Sequence, residues 1–303
     1  MHETLIKDLN PAFCKTDVSG SVLVNADCFD VMAKIKNNSV DAIICDLPYG
    51  STQCKWDTII PFDKLWLEYN RIIKPNGAIV LFGAEPFSSL LRVSNIKNFK
   101  YDWIWDKKKA PNFRGVKSQP LIPYEVISVF NTSTYNPQMT KGKMRQKGGY
   151  YSEHEQALSA GTKAKINDEY YPKAILEFTK ANNKDSKLHP TQKSLDLMEY
   201  LVRTYTNEGE TVLDNTMGSG TTCLAAKKTN RKFIGIEKDF NYYNTAVKRI
   251  FGFYCKGCNE VVYETDFTFD DKHELCLDCC KLYTGSCDYS LDCSLGRGCN
   301  ESC

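Results

Sequence analysis

A chain of 303 residues, 42% hydrophobic and 25% charged with a formal net charge of +2, has the composition of a folded protein with one large domain and room for a smaller one, which excludes fibrous and disordered classes. The start, Met1-His2-Glu3-Thr4-Leu5-Ile6-Lys7-Asp8, lacks the apolar core of a signal peptide, and no stretch approaches the roughly 20 apolar residues of a membrane span. Nine of the 14 cysteines follow residue 254, a clustering that points to metal binding in a reducing compartment, the cytosol.

In chain order, residues 21–27 read as a short strand ending in Asp27, which can cap the helix that Phe29, Val31, Met32 and Ile35 outline before Asn37-Asn38. Ala42-Ile43-Ile44-Cys45 is apolar and β-branched enough for a strand buried on both faces. Asp46-Leu47-Pro48-Tyr49-Gly50 then interrupts it. The proline stops the ladder, so the segment is either a surface turn or an acid and a ring presented at the carboxyl end of a strand, the edge where open α/β sheets bind ligands. Residues 61–73 form an amphipathic helix stopped at Pro75-Asn76-Gly77, and 78–82 another buried strand. This alternation predicts an α/β fold with a doubly wound, mostly parallel sheet.

A strand pair is expected at 101–105 and 124–130. Between Asp106 and Tyr150 the bases Lys107, Lys108, Lys109, Arg114, Lys117, Lys141, Lys143, Arg145 and Lys147 face only two acids, Asp106 and Glu125. Residues 131–188 are polar and without a long apolar period. They read as an inserted, partly irregular recognition region or as a linker. Tyr135, Tyr150, Tyr151, Tyr170 and Tyr171 among the lysines favour recognition of nucleic acid, cations meeting phosphates and rings stacking on bases.

His189-Pro190-Thr191-Gln192-Lys193-Ser194 leads into an amphipathic helix whose N-terminus suits a carboxylate. Then Thr211-Val212-Leu213-Asp214 is a strand, Asn215-Thr216-Met217-Gly218-Ser219-Gly220 a glycine loop, 221–228 a helix, and 232–236 a strand closed by Glu237. Glycines at the first turn of a βαβ unit let backbone approach a ligand, and an acid after the second strand can accept bonds from two ribose hydroxyls. Neither the P-loop lysine nor a third glycine is present.

Together the two units resemble the β group of DNA amino-methyltransferases, over about residues 20–250. Asp46-Leu47-Pro48-Tyr49 is similar to that family's Asp-Pro-Pro-Tyr signature, residues 189–193 to the segment before its cofactor unit, and 214–222 to its cofactor loop. The order of catalytic motif, insert and cofactor loop is that of the β group. The sequence departs at Leu47, usually proline, and at Asn215-Thr216, where Pro-Phe is common. The resemblance implies a Rossmann-like methyltransferase fold of permuted motif order, with halves at 1–130 and 189–251 around the insert. It further implies S-adenosylmethionine as cofactor, double-stranded DNA as partner, and a restriction-modification setting in the cytoplasm of a bacterium or of a phage-infected host cell. On it, Asp46 and the Leu47 carbonyl hold an exocyclic amine, Pro48 is a spacer, and Tyr49 stacks on a flipped base. Glu237 would take the ribose and Asp27 the adenine. Asp214, Asn215, Gly218, Ser219, Gly220, Thr221 and Thr222 would wrap the rest of the cofactor, and Thr191 and Lys193 its carboxylate. Aspartate at position 46 tilts the reading to N6-adenine. N4-cytosine, which asks for the same acceptors, and a non-catalytic zinc-containing DNA-binding protein stay open. C5-cytosine chemistry lacks its Pro-Cys nucleophile, and Cys45 and Cys54 read as structural.

Residues 252–303 are acidic and separate. Cys255 and Cys258, then Cys276 and Cys279, form two C-x2-C pairs seventeen residues apart, the spacing of a structural zinc ribbon. His273 and Cys280 are substitute ligands. A second ion at Cys287, Cys293, Cys299 and Cys303 is left open, as is a dimer or other protein contact.

Overall fold

The computed structural model describes residues 6, 14–16, 20–51, 57–110, 112, 115–147, 165–179, 192–254 and 261–262. After β1 (Cys14–Thr16) and β2 (Val22–Asn25), Asp27 caps α1 (Cys28–Met32) by accepting the Phe29 amide at 3.0 Å. The apolar run forms β3 (Val40–Cys45), buried throughout. Next, α2 (Phe62–Ile72) buries Leu65, Trp66, Tyr69 and Ile72 along one stripe and runs straight into β4 (Ile73–Gly83). The expected stop at Pro75-Asn76-Gly77 therefore lies inside a strand. It is tolerated there because the β3–β4 register shifts between Val40 and Ala42, so the proline sits at an irregularity where a missing donor costs little.

The chain continues through α3 (Phe87–Ser94) and the antiparallel pair β5 (Phe99–Asp106) and β6 (Tyr124–Phe130). Within the insert, β7 (Thr140–Lys147) and β8 (Lys165–Tyr170) form their own two-stranded sheet, whereas β9 (Ile175–Glu177) joins the main one beside β5. The insert thus holds more order than its composition suggests. Leu176 alone supplies the buried anchor of β9, too short a signal for any periodicity. Then follow α4 (Leu195–Tyr205), β10 (Thr211–Asp214), α5 (Thr221–Lys228), β11 (Lys232–Glu237) and α6 (Phe240–Phe251), with β12 (Phe253–Tyr254) and β13 (Val261–Val262) paired antiparallel.

Among the described residues the main sheet has nine strands in the order β1-β2-β11-β10-β3-β4-β6-β5-β9. The five strands from β2 to β4 are mutually parallel, and antiparallel pairing is confined to the flanks. Alternate residues of β3 feed two cores: Ala42 and Ile44 pack with α4, α5 and α6, while Ile43 and Cys45 pack with α1, α2 and α3. Helices therefore cover both faces, as a doubly wound sheet requires. The site follows from one topological fact. From β3 the chain crosses over one face to β4, and from the adjacent β10 it crosses over the other face to β11. The two crossovers part between β3 and β10, opening a crevice at their carboxyl ends.

Candidate active site

Both loops singled out in the sequence emerge at that crevice and line one cavity of about 1000 Å³. Asp46 and Tyr49 stand on the β3 side. The Tyr49 hydroxyl donates to Asp46 Oδ1 at 2.7 Å, and Phe87 of α3 stacks on the tyrosine ring with centroids 4.9 Å apart and planes 28° off parallel. One face of the ring is thereby braced, as a stacking platform needs. Asp57 accepts the Gly50 and Ser51 amides at 2.8 and 2.9 Å, closing the loop on itself, and Gly50 takes a φ of +66° that a side chain would resist. The second oxygen of Asp46 meets Lys193 Nζ at 2.6 Å. Lys193 also reaches Glu125 Oε2 at 3.1 Å, and Lys107 holds the other oxygen of Glu125 at 3.0 Å.

Charge in this corner is set by burial and by those pairs. Burial raises the Asp46 pKa, Lys193 pulls it back, and it stays above the ordinary carboxylate value. For Glu125 burial acts upward too, but Lys193 and Lys107 outweigh it and hold the group at about 2. Burial and the neighbouring Asp46 keep the Tyr49 phenol protonated.

On the β10 side, Glu237 accepts the Gly218 amide at 2.9 Å and the Asp239 amide at 2.7 Å, one on each oxygen. Those bonds shape the glycine loop and leave lone pairs facing the cavity. Arg249 of α6 donates to the Ser219 carbonyl at 3.1 Å and the Thr221 hydroxyl at 2.9 Å, pinning the loop from behind. Gly218 has φ +53° and Gly220 +75°. A Cβ on Gly220 would lie 2.7 Å from Ile250 and 3.0 Å from Ala246, so this glycine admits α6 against α5 and, unlike Gly218, is not part of the cavity wall. The Asn215 side-chain oxygen accepts from the Tyr69 hydroxyl at 2.5 Å and the Cys45 thiol at 2.9 Å, and its buried amide nitrogen has no hydrogen-bond partner among the described residues. Asp214, 4% exposed, is pushed up to about 7 by burial, against the Thr222 hydroxyl and Thr216 amide that favour its anion.

Thr216 joins the two halves, its hydroxyl donating to the Asp46 carbonyl at 3.1 Å. This is a use for the residue that replaces the family's phenylalanine. Thr216→Val is expected to lower stability by about 1 kcal/mol in chemical denaturation; an unchanged midpoint would show that the bond contributes nothing.

Other expected site residues fall in different places. Leu47, Pro48, Asp27, Ser219, Thr221 and Thr222 line the cavity, with Asp27 also pairing Lys238 at 3.2 Å. Lys193, expected at a cofactor carboxylate, is at Asp46. Lys107, expected on a basic surface, is 5% exposed and points inward at Glu125, because a buried carboxylate beside Asp46 needs its own counter-charge. Lys108 is engaged by Asp106 and Glu177, whereas Lys109, Lys117, Lys141 and Lys143 are exposed. Arg114, Thr191, Tyr150, Tyr151, Cys54 and the cysteines from Cys255 onward lie outside the described residues, as do the side chains of Arg145 and Lys147. Sequence reasoning missed Glu125, Phe87, Asp57 and Arg249, whose roles arise only from partners distant in the chain.

A family model described as DNA methylase matches residues 40–248. The chain is 28% identical over 256 residues to the Type II methyltransferase M2.LlaDCHI of Lactococcus lactis subsp. cremoris, covering 76% of this chain and 89% of the relative. It is likewise 28% identical over 249 residues to the Type II methyltransferase M1.MboII of Moraxella bovis, covering 73% and 92%. Among solved structures, a complex of M1.HpyAVI with SAM superposes with a TM-score of 0.51 at 28% identity, over 75% of this chain and 98% of that one. The cytosine-N4-specific PvuII DNA methyltransferase, at 16% identity and a TM-score of 0.54 over 74% and 84%, shares the fold. With two thirds of its length matched and both loops at one sheet edge, the chain belongs to the N6/N4 DNA methylase family.

Proposed function

We propose that this DNA methylase transfers a methyl group from S-adenosylmethionine to the exocyclic N6 of an adenine rotated out of double-stranded DNA. The observation that carries the reading is that Asp46 with Tyr49 and Gly218 with Glu237 share one cavity. An exocyclic amine is a weak nucleophile because its lone pair is delocalised into the ring. The Asp46 carboxylate and the Leu47 carbonyl can hold its two hydrogens, localise the lone pair and stabilise the charge that develops on nitrogen. Tyr49, braced by Phe87, supplies the stacking face. A carboxylate rather than a hydroxyl at position 46 favours adenine.

The residues present fit the cofactor. Glu237 suits the ribose hydroxyls, Gly218 lets backbone approach, and the unpartnered Asn215 amide nitrogen is a donor awaiting an acceptor. S-adenosylmethionine supplies the electrophilic methyl. That a family relative is described as a complex with SAM supports this assignment. Exposed Lys109, Lys117, Lys141 and Lys143 suit the phosphates. The test is to incubate the protein with S-adenosylmethionine and unmodified DNA of varied sequence, digest to nucleosides and weigh them. N6-methyladenine is expected. N4-methylcytosine alone would reassign the base, and no methylated nucleoside would turn the reading to a binding role.

The acidic tail fits a structural Zn²⁺ held by Cys255, Cys258, Cys276 and Cys279. In support, the two C-x2-C pairs stand seventeen residues apart in the sequence, the spacing of a zinc ribbon. The wild type is expected to carry bound zinc and Cys276→Ser to lose most of it; near-zero zinc in both would remove the ribbon.

A further inference from the structure

Both oxygens of Asp46 are engaged inside the protein: Oδ1 takes the Tyr49 hydroxyl and Oδ2 the Lys193 ammonium. Lys193 is 8% exposed and Lys107 5%, an environment in which a lysine is kept only if its charge is matched. The match is a chain of alternating sign, Lys107 to Glu125 to Lys193 to Asp46, with links of 3.0, 3.1 and 2.6 Å. Its members come from four places: the end of β5, β6, the entry to α4, and the loop after β3.

We propose that Lys193 is a positioning residue for the Asp46 carboxylate, and that Glu125, anchored by Lys107, holds Lys193 in place and balances its charge. This rests on the reading of Asp46 as the group that receives the amine. Without a cation beside it, a carboxylate in this crevice would be driven toward its neutral form, which offers a donor where an acceptor is needed. Besides Lys193, Asp46 faces Tyr49 from its own loop, Glu125 from β6 and Asp214 from β10, and both acids oppose its ionisation. Lys193 is the cation that opposes them. Its own charge is secure: burial disfavours it, but Asp46 and Glu125 together raise its pKa. Glu125 has a second task. As positive charge grows on the amine, the ammonium nearby would repel it, and the Glu125 carboxylate screens that repulsion.

The decisive experiment titrates the Asp46 carboxyl by NMR on protein labelled in aspartate, the resonance assigned by its loss in Asp46→Asn. Lys193→Met is expected to raise the titration midpoint by about one pH unit or more, Glu125→Gln to lower it, and Lys193→Arg to restore a near-wild-type value. Glu125 keeps Lys107 when Lys193 is removed; Glu125→Gln leaves Lys193 its pair with Asp46 but takes the counter-charge from Lys107, so its titration is read beside a denaturant midpoint that verifies the fold. The acid limb of the single-turnover methylation rate should move with the midpoint. An unmoved midpoint in Lys193→Met, or a rise in Glu125→Gln, overturns the proposal, as does a rate loss by the same factor at every pH. Because the titration needs no turnover, it decides the role of Lys193 even if the wild type methylates nothing, the outcome that would instead remove the methyl-transfer reading.

Discussion

Asp46→Ala is expected to lower the single-turnover methyl-transfer rate by about 10²–10³-fold or more while leaving the affinity for S-adenosylmethionine within about threefold. The rate falls because the carboxylate is the charged one of the two acceptors that localise the amine lone pair, and the charge it stabilises exists only as the methyl moves across. Affinity survives because the Asp46 side chain is held by Tyr49 and Lys193, and the bond from the glycine loop, the Thr216 hydroxyl, goes to the Asp46 backbone carbonyl that alanine keeps. The fold survives as well, since Lys193 retains Glu125 and no cation is stranded. Asp46→Asn separates charge from geometry, for it keeps one acceptor oxygen and loses the anion, and it should fall between alanine and wild type. Equilibrium binding by calorimetry and rapid-quench transfer on the same samples check both halves. Full transfer activity in Asp46→Ala would remove this residue from the mechanism.

The parts of this arrangement legible in the sequence are those encoded by short-range order. β3 announces itself because Ala42 to Cys45 are apolar in unbroken succession, and a strand covered on both faces has no reason to alternate. The βαβ unit at 211–237 is legible because a glycine loop separates two such runs, and Asp27 because a cap needs only its own helix. Glu125 was not legible. It sits at the start of an apolar strand, where an acid reads as a solvated flank, and becomes part of the site only because Lys107 and Lys193 converge on it from 18 and 68 residues away. Phe87 escaped for a related reason: α3 has eight residues, too few for a helical period to stand out, and the contact with Tyr49 is tertiary. The basic residues show the converse error. Counting Lys107 toward a DNA-facing surface assumed that charges seek water, whereas it is buried on Glu125; Lys108 stays at the surface, paired with Asp106 and Glu177.

Asp214→Asn is expected to stabilise the protein above neutral pH and to flatten the pH dependence of cofactor binding. Burial lifts the Asp214 pKa to about 7, against about 4 for an aspartate in an unfolded chain. The folded state therefore holds a proton that the unfolded state has released between those values. Stability falls as pH rises through that window and stays low above it. Below about pH 4 both states are protonated and the penalty vanishes. An amide of the same shape can still accept the Thr216 amide, at 3.2 Å in the wild type, and carries no charge to desolvate. The variant should thus match the wild type near pH 4 and exceed it by about 2–4 kcal/mol at pH 8, read from denaturant midpoints at each pH. A difference that does not change with pH would sink the argument. Asp214 lines the cavity proposed for a ligand carrying a sulfonium and an ammonium. A cation there would pull its pKa down, so binding should release a proton near pH 7 and tighten between pH 6 and 8 in the wild type, but hardly change in Asp214→Asn. The carboxylate that costs the empty protein stability is, on this account, the one that the cationic cofactor compensates, which is why a buried acid is kept at the end of β10.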